Sequence, residues 1–270
     1  MIRLADLDVN SYTECETLLI MGRVDGTQAL VTGASKGIGR GIAEGLAAEG
    51  ATVGVNYPPQ EESSHADDVV ETIEANGGTA RTFEADVSDA ADVESMIDAF
   101  EIAFGTIDVL VNNAGILTQS PLEEMPVAMW DETIAVDLRG TFLPTRFALP
   151  MMLESGTGSI INVASQLGIL GGEELVHYSA AKGGVIAMTR ALAREVSPTV
   201  RVNAVAPGPV QTELLDDISE EWREAKAAQL PMDRLGEVED IVPTVVFLAS
   251  EESSYYTGQT LSPDGGDAMH

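Results

Sequence analysis

From Gly26 onward, short β-branched runs alternate with longer stretches of helical pattern, and few folds accommodate such a chain. It reads as consecutive β-α units laid on one parallel sheet. The strand-like runs are Gln28–Thr32, Thr52–Asn56, Thr79–Glu84, Ile107–Val111, Ser159–Ala164, Val200–Val205 and Thr257–Ser262. Helical pattern fills Ile38–Glu49, Glu61–Ala75, Asp89–Phe104, Pro126–Leu153, Leu175–Val196 and Val238–Ala249. Runs such as Ala29-Leu30-Val31 and Val109-Leu110-Val111 are apolar at successive positions, as strands covered on both faces must be. With 270 residues, 44% of them hydrophobic, one α/β domain over residues 23–270 is the economical reading. Residues 1–22 precede the first unit as an extension, read as a mobile tail or as the result of a start codon placed too far upstream. Segment 208–235 is the longest insertion between a strand and the next core helix. It carries a helical pattern over Ile218–Gln229, has Pro209 and Pro231 near its ends, and lies where substrate-covering lids sit.

The first strand runs into Thr32-Gly33-Ala34-Ser35-Lys36-Gly37-Ile38-Gly39 and then directly into a helix carrying Gly41 and Gly45. Glycines at such a turn let backbone approach a pyrophosphate, and the helix N-terminus adds N–H groups and the positive end of a dipole. The spacing is G-x-x-x-G-x-G rather than the commoner G-x-G-x-x-G. Three more segments follow predicted strands. Asp86-Val87 ends the third, where a carboxylate can accept from an adenine amino group. Asn112-Asn113-Ala114-Gly115 ends the fourth, with small residues for close approach and amides that can brace neighbouring strands. Pro207-Gly208-Pro209-Val210-Gln211-Thr212 ends the sixth, within reach of the far end of a dinucleotide. Ligands of open α/β sheets bind at these carboxyl ends.

Tyr178 and Lys182 stand four apart in Tyr-Ser-Ala-Ala-Lys, so a helix puts them on one face. A free tyrosine, with a pKa of about 10, is a poor acid or base at neutral pH. A neighbouring ammonium stabilises the phenolate and is expected to draw that pKa toward working pH, where general acid/base catalysis is most efficient. Ser165, thirteen positions upstream at the end of the fifth strand, can deliver a hydroxyl to a substrate oxygen. Alone, the Tyr-x-x-x-Lys pair would equally suit an exposed helix face.

Taken together, T-G-x-x-x-G-x-G, N-N-A-G, Ser165, Y-x-x-x-K and P-G, in that order from Gly26 to Gly266, resemble the compact branch of the short-chain dehydrogenase/reductase family. The resemblance implies a Rossmann-type, doubly wound three-layer fold with helices on both faces of a seven-stranded parallel sheet in the order 3-2-1-4-5-6-7. It implies hydride transfer between NAD(P) and a small or medium carbonyl or secondary alcohol. Tyr178 would be the general acid/base, Ser165 the partner of the substrate oxygen, and Lys182 the residue that binds the nicotinamide ribose and lowers the tyrosine pKa. Gly33, Ser35, Lys36, Gly37, Ile38 and Gly39 would form the pyrophosphate turn, with Asp86 and Val87 at the adenine. Asn113, Ala114 and Gly115 would line the adenosine and ribose side. Pro207, Gly208, Val210 and Thr212 would reach the nicotinamide end, Thr212 at the carboxamide. Relatives assemble as tetramers through the two long helices and the C-terminal strand, and the same homo-oligomer is expected here.

One position departs from that pattern. Where the family places an asparagine in a V-N-L-like run, this chain has Val136-Asp137-Leu138. The asparagine holds a water that links the lysine to solvent. Asp137 can hold a water only through acceptor oxygens, and its charge competes for the ammonium of Lys182 and raises the tyrosine pKa. Pro144, just beyond, is expected to kink the helix or relieve strain there. The cofactor expected is NADP, with NAD the alternative. The second strand ends Val55-Asn56-Tyr57-Pro58, with no acid before Glu61 to bond both ribose hydroxyls, and Lys36 sits where a cation can meet a 2′-phosphate. Asn56 and Lys36 are therefore the discriminating residues.

Charge narrows the partners. The chain carries 44 Asp+Glu against 14 Lys+Arg, a net charge of −30, and only Lys36, Lys182 and Lys226 are lysines. Such self-repulsion is tolerated where salt screens it, so a halophilic, salt-rich cytoplasm is expected, with an acidic mesophilic surface as the alternative. No basic stripe exists to meet nucleic acid. No apolar run reaches the ~20 residues of a membrane span, and the acidic start lacks the marks of an export signal. Cys15, the single cysteine, has neither a disulfide partner nor metal spacing. An acyl-carrier-protein ketoreductase would need basic docking residues, which Phe147–Gly158 lacks, so a sugar or polyol dehydrogenase stands level with it. The substrate wall is expected from Gln166, Leu167, Ile169 and Leu170, with His177 at the rim. The other class of function is a cofactor-binding sensor with weakened chemistry.

Overall fold

The computed structural model of the chain describes residues 22–59, 63–213 and 219–269. The extension up to Met21, the expected helix start at Glu61 and Ile218 of the lid pattern lie outside the described residues.

Seven parallel strands form one sheet in the order β3-β2-β1-β4-β5-β6-β7. They are β1 (Gln28–Val31), β2 (Thr52–Tyr57), β3 (Thr79–Glu84), β4 (Val109–Asn112), β5 (Ser159–Val163), β6 (Arg201–Val205) and β7 (Thr260–Leu261). Parallel neighbours require crossovers, and helices supply them. These are α1 (Gly37–Ala48), α2 (Ser63–Ala75), α3 (Ala90–Phe104), α4 (Val127–Thr133), α5 (Gly140–Ser155), the one-turn α6 (Leu167–Leu170), α7 (Val176–Val196), α8 (Glu220–Ala227) and α9 (Val238–Ala249). The α6 turn carried no periodic signal, and β7 is shorter than its apolar run suggests.

Period-two alternation divides the core between the two faces of the sheet. Ala29, Val31, Val111 and Ile161 pack on one face with Ile42 and Leu46 of α1 and Val245 of α9. Leu30, Leu110 and Ile160 pack on the other with Met96 and Phe100 of α3 and Met152 of α5. Burying each Val, Leu, Ile, Met or Phe among them contributes about 1.5–3 kcal/mol. Phe100 lies so close over β2 that a Cβ at Gly54 would come within 2.6 Å of its ring. Gly41 and Gly45 of α1 likewise admit Val238 and Val242 of α9, with hypothetical Cβ contacts of 2.2 and 2.3 Å. These glycines therefore serve packing rather than ligand approach.

Strand register brings the functional segments to one rim. Val31 lies opposite Val111, Asn112 opposite Asn162, and Val163 opposite Val205. The turns that follow β1, β4, β5 and β6 thus open side by side. Buried amides lock this edge: Asn112 Nδ2 donates to Asn162 Oδ1 at 2.8 Å and to Thr145 Oγ1 at 2.9 Å. Asn162 Nδ2 in turn donates to Thr189 Oγ1 of α7 at 2.9 Å.

The helix expected without interruption over Pro126–Leu153 is instead three consecutive pieces. Between α4 and α5 the chain widens into a π-helical segment, Ile134–Arg139, where Gly140 N–H reaches back five residues to Ala135 O. Pro144 has no N–H to offer the Gly140 carbonyl, and its ring crowds that carbonyl. Threonine hydroxyls cover nearby acceptors, with Thr141 Oγ1 donating to Asp137 O at 3.1 Å and Thr145 Oγ1 to Thr141 O at 2.8 Å. One-turn π segments of this kind concentrate at functional sites, and this one carries Asp137.

Candidate active site

The glycine turn is built for a ligand. Gly33 and Gly37 have φ of 58° and 55°, a region in which a Cβ is strained. A Cβ at Gly39 would stand 2.2 Å from Gly33 O and 2.4 Å from Asn113 Nδ2, so only glycine lets the turn close on itself. Asn113 Nδ2 donates to the Thr32 and Gly33 carbonyls at 3.0 and 2.9 Å, bracing the turn from β4. Lys36, the N-cap of α1, is exposed and makes no side-chain cap, which leaves the first-turn amides positioned for an anion. Ser35 is buried in the same turn, beside the partly buried Ile38. Thr212 closes over it: a Cβ at Gly37 would lie 3.7 Å from the Thr212 side chain. A dinucleotide pyrophosphate fits these features.

Other expected contacts take more particular forms. Asp86 Oδ1 accepts from the Ser88 amide and hydroxyl at 2.8 and 2.7 Å, fixing the carboxylate at the end of β3. Val87 turns its side chain onto Gly140, where a Cβ would come within 2.7 Å, so only its backbone is left to meet an adenine. Ala114 presses on Gly33, with 2.8 Å from a hypothetical Cβ there to the Ala114 Cα. Pro207 O accepts from Gln166 N–H at 3.0 Å, tying the sixth-strand turn to the serine turn. Gly208 admits Asp264, whose Cα would lie 2.7 Å from a Cβ there. Val210 is buried and bridges Gly236.

Asn56 requires a correction. Its side chain does not face outward to read a ribose; it is 1% exposed. Oδ1 accepts from Gly33 N–H at 3.1 Å, and Nδ2 donates to the Phe83 and Ala85 carbonyls at 3.1 and 3.2 Å. A buried amide surrounded by backbone groups pairs with them first. Asn56 therefore shapes the turn.

At the centre of this rim, Ser165 lies two residues past the end of β5, and Tyr178 and Lys182 lie on one face of α7. Lys182 is 3% exposed. Its Nζ donates to Val163 O at 3.2 Å, lies 3.4 Å from Asp137 Oδ2, and stands 5.6 Å from the centre of the Tyr178 ring. Asp137 is 0% exposed, and its Oδ1 accepts from Ile116 N–H at 2.9 Å. Gly115 makes room for this pair, since a Cβ there would stand 3.2 Å from both Lys182 Nζ and Asp137 Oδ2. The motif alone did not reveal that use of its glycine.

The electrostatics revise the expected tyrosine. Burial pushes the Tyr178 phenol above its ordinary value. Lys182 and a hydrogen bond from Ser165 pull it down, and Asp137 pushes it up again; the net direction is upward. The lysine does not prevail because burial of the phenol outweighs it, and Asp137 adds to the upward push. Burial alone would lower Lys182, but Asp137 and then Tyr178 outweigh it and hold the ammonium above its usual value. Burial likewise lifts the Asp137 carboxyl, against the pull of Lys182 and the Ile116 amide.

His177 also departs from expectation. It is not a rim residue but fully buried, with Nε2 2.9 Å from Thr118 Oγ1. Of the expected substrate wall, Gln166 is buried and Leu170 is 56% exposed. Neither the Ile116 nor the Thr118 contact had a signal in the sequence, because both join a loop to distant helical positions.

Comparison with known proteins shows the family. The family described as enoyl-(acyl carrier protein) reductase matches residues 33–267. A 3-oxoacyl-(acyl-carrier-protein) reductase of Staphylococcus aureus is 45% identical over 242 residues, covering 89% of this chain and 98% of that protein. A counterpart in Thermotoga maritima is 38% identical over 245 residues, covering 90% and 98%. A crystal structure of a gluconate 5-dehydrogenase from Burkholderia cenocepacia, in complex with NADP and tartrate, superposes with a TM-score of 0.86. It is 33% identical, covering 90% of this chain and 96% of that one. The chain belongs to the short-chain dehydrogenase/reductase family and is an oxidoreductase of that family's hydride-transferring kind.

Proposed function

We propose that the protein is an NADP-dependent reductase of small or medium carbonyl compounds, with Tyr178 as proton donor, Ser165 as partner of the substrate oxygen, and Lys182 and Asp137 as a buried pair behind them. The observation that carries this reading is the Ser165–Tyr178–Lys182 cluster, on the same sheet rim as the Gly33–Gly39 turn. A bound nicotinamide supplies or accepts the hydride. The residues do the rest. The glycine turn and the first amides of α1 hold the pyrophosphate, and Lys36 meets the 2′-phosphate. Ser165 orients the carbonyl oxygen by a hydrogen bond. Tyr178 gives its phenolic proton to that oxygen as negative charge builds on it, and Lys182 stabilises the phenolate left behind.

The upward pKa of Tyr178 favours reduction near neutral pH, because the phenol stays protonated. Oxidation of an alcohol needs the phenolate and belongs to alkaline pH. The net charge of −30 and the three lysines support a protein adapted to a salt-rich cytoplasm. Exposed Val127, Trp130, Phe142 and Leu153 along α4 and α5 support assembly of copies, by resemblance a tetramer. In this reading segment 208–235 covers the substrate, with α8 as its helix. Two substrate classes compete. The reductase of Staphylococcus aureus favours a 3-oxoacyl thioester; the acidic charge and the gluconate 5-dehydrogenase favour a sugar-type substrate. Nicotinamide absorbance, followed with both cofactors across a panel spanning 3-oxoacyl thioesters, keto sugars and sugar acids, decides between them. Tight cofactor binding with no turnover on any of these would replace the enzyme by a sensor.

A further inference from the structure

The catalytic helix starts without the usual device that fixes a first turn. The N-cap of α7 is Leu175, whose side chain cannot accept from the first amides, and no side-chain cap is made. Glu174, just before it, has φ of 60°, a left-handed conformation that costs a non-glycine residue about 1 kcal/mol or more. Helix ends fray, yet Tyr178 is the third residue of this one and must be held to about 0.5 Å for proton transfer.

Tertiary bonds tie the end down. His177 Nε2 pairs with Thr118 Oγ1 at 2.9 Å, and Ser120 N–H donates to Glu174 O at 3.0 Å. Thr118 and Ser120 belong to the loop that follows N-N-A-G, and Asp137 grips the same loop through Ile116 N–H at 2.9 Å. The imidazole is fully buried, and its Nδ1 has no hydrogen-bond partner among the described residues. A buried unpaired polar atom is destabilising, and a leucine of similar size would avoid it.

We propose that His177 is a positioning residue: through Thr118 it clamps the loop after β4 to the first turn of α7, so that Tyr178 and the loop at 116–120 move as one body. This rests on Tyr178 being the proton donor. Removing the clamp lets the phenol wander without touching the glycine turn.

The test uses His177→Leu, His177→Gln, His177→Asn and Thr118→Val in the full chain. His177→Leu lowers kcat about 10- to 100-fold, the scale of a misplaced catalytic group, and leaves the NADP dissociation constant, read by nicotinamide fluorescence, unchanged. His177→Gln recovers most of the loss, because its terminal amide reaches where Nε2 stands. His177→Asn, which mimics Nδ1, does not. Thr118→Val reproduces the loss, and the Thr118→Val/His177→Leu double variant adds nothing to it. Amide hydrogen exchange at 116–120 and 175–180 rises in His177→Leu; this readout needs no substrate and stands even if the proposed reaction is wrong. Unchanged exchange, equal rescue by Gln and Asn, or additive losses would overturn the clamp. Should His177→Leu fail to fold, Thr118→Val carries the exchange and kcat measurements by itself.

Discussion

Replacing Asp137 by asparagine tests the electrostatic account most directly. The ammonium of Lys182 lies 5.6 Å from the Tyr178 ring centre, where at an effective dielectric of 20 its gross attraction for a phenolate is about 3 kcal/mol. Asp137 Oδ2, 3.4 Å from the same ammonium, opposes part of that attraction. If the carboxylate cancels between a third and a half of it, neutralising the charge returns about 1–1.5 kcal/mol to the phenolate, equivalent to about one pH unit. Asparagine keeps an oxygen to accept from Ile116 N–H, so the loop stays anchored. The sign is definite. Tyr178 sits above its ordinary value partly because of Asp137, so Asp137→Asn lowers it. In alcohol oxidation, which needs the phenolate, the rising limb of the kcat/KM profile moves to lower pH. In carbonyl reduction, which needs the phenol, the falling limb moves the same way. The assay is an initial-rate pH profile in both directions at saturating cofactor. A limb that stays in place or moves alkaline refutes the reasoning, and complete loss of activity would assign the carboxylate a role other than opposing Lys182. Asp137→Ala is the control. It leaves the Ile116 amide unpaired and Lys182 without its carboxylate, and is expected to lose about 3–5 kcal/mol of stability, read as a drop in Tm.

Other variants probe the rest of the site. Gly39→Ala forces a methyl against Gly33 O and Asn113 Nδ2, at 2.2 and 2.4 Å; cofactor affinity should fall at least tenfold, about 1.4 kcal/mol, in a fluorescence titration. Wild-type affinity in that variant would mean the turn does not hold the pyrophosphate. Lys36→Ala should raise KM for NADP and leave KM for NAD nearly unchanged, since an exposed cation next to a phosphate contributes on the order of 1 kcal/mol; an unmoved NADP:NAD ratio contradicts that role. Thermal unfolding should shift to higher temperature from dilute buffer to molar KCl, because salt screens a net charge of −30. Greater stability in dilute buffer would remove the salt-adapted reading.

Much of the molecule was legible in one dimension because the signals were local. Strand runs such as Thr79–Glu84 and the helix Val238–Ala249 match their elements end to end, since periodicity and burial on both faces act residue by residue. The turn Gly33–Gly39, Ser165 and the Tyr178–Lys182 pair were equally readable, because each needs a particular residue type at a particular spacing. What the chain text left open depended on long-range meetings. Asn56 is a polar residue at the end of a strand, and only its 3.1 Å contact with Gly33 N–H, across 23 residues, makes it a brace. Gly115 is part of a cofactor motif until packing places Lys182 and Asp137 where its side chain would be. The π turn around Asp137 lies one turn before Pro144, and no periodicity announces it. The direction of the Tyr178 pKa turned first on how far water is excluded, and then on the opposed charges of Lys182 and Asp137. Spacing determined which groups could meet; distance and burial, which exist only in the folded chain, decided what their meeting does.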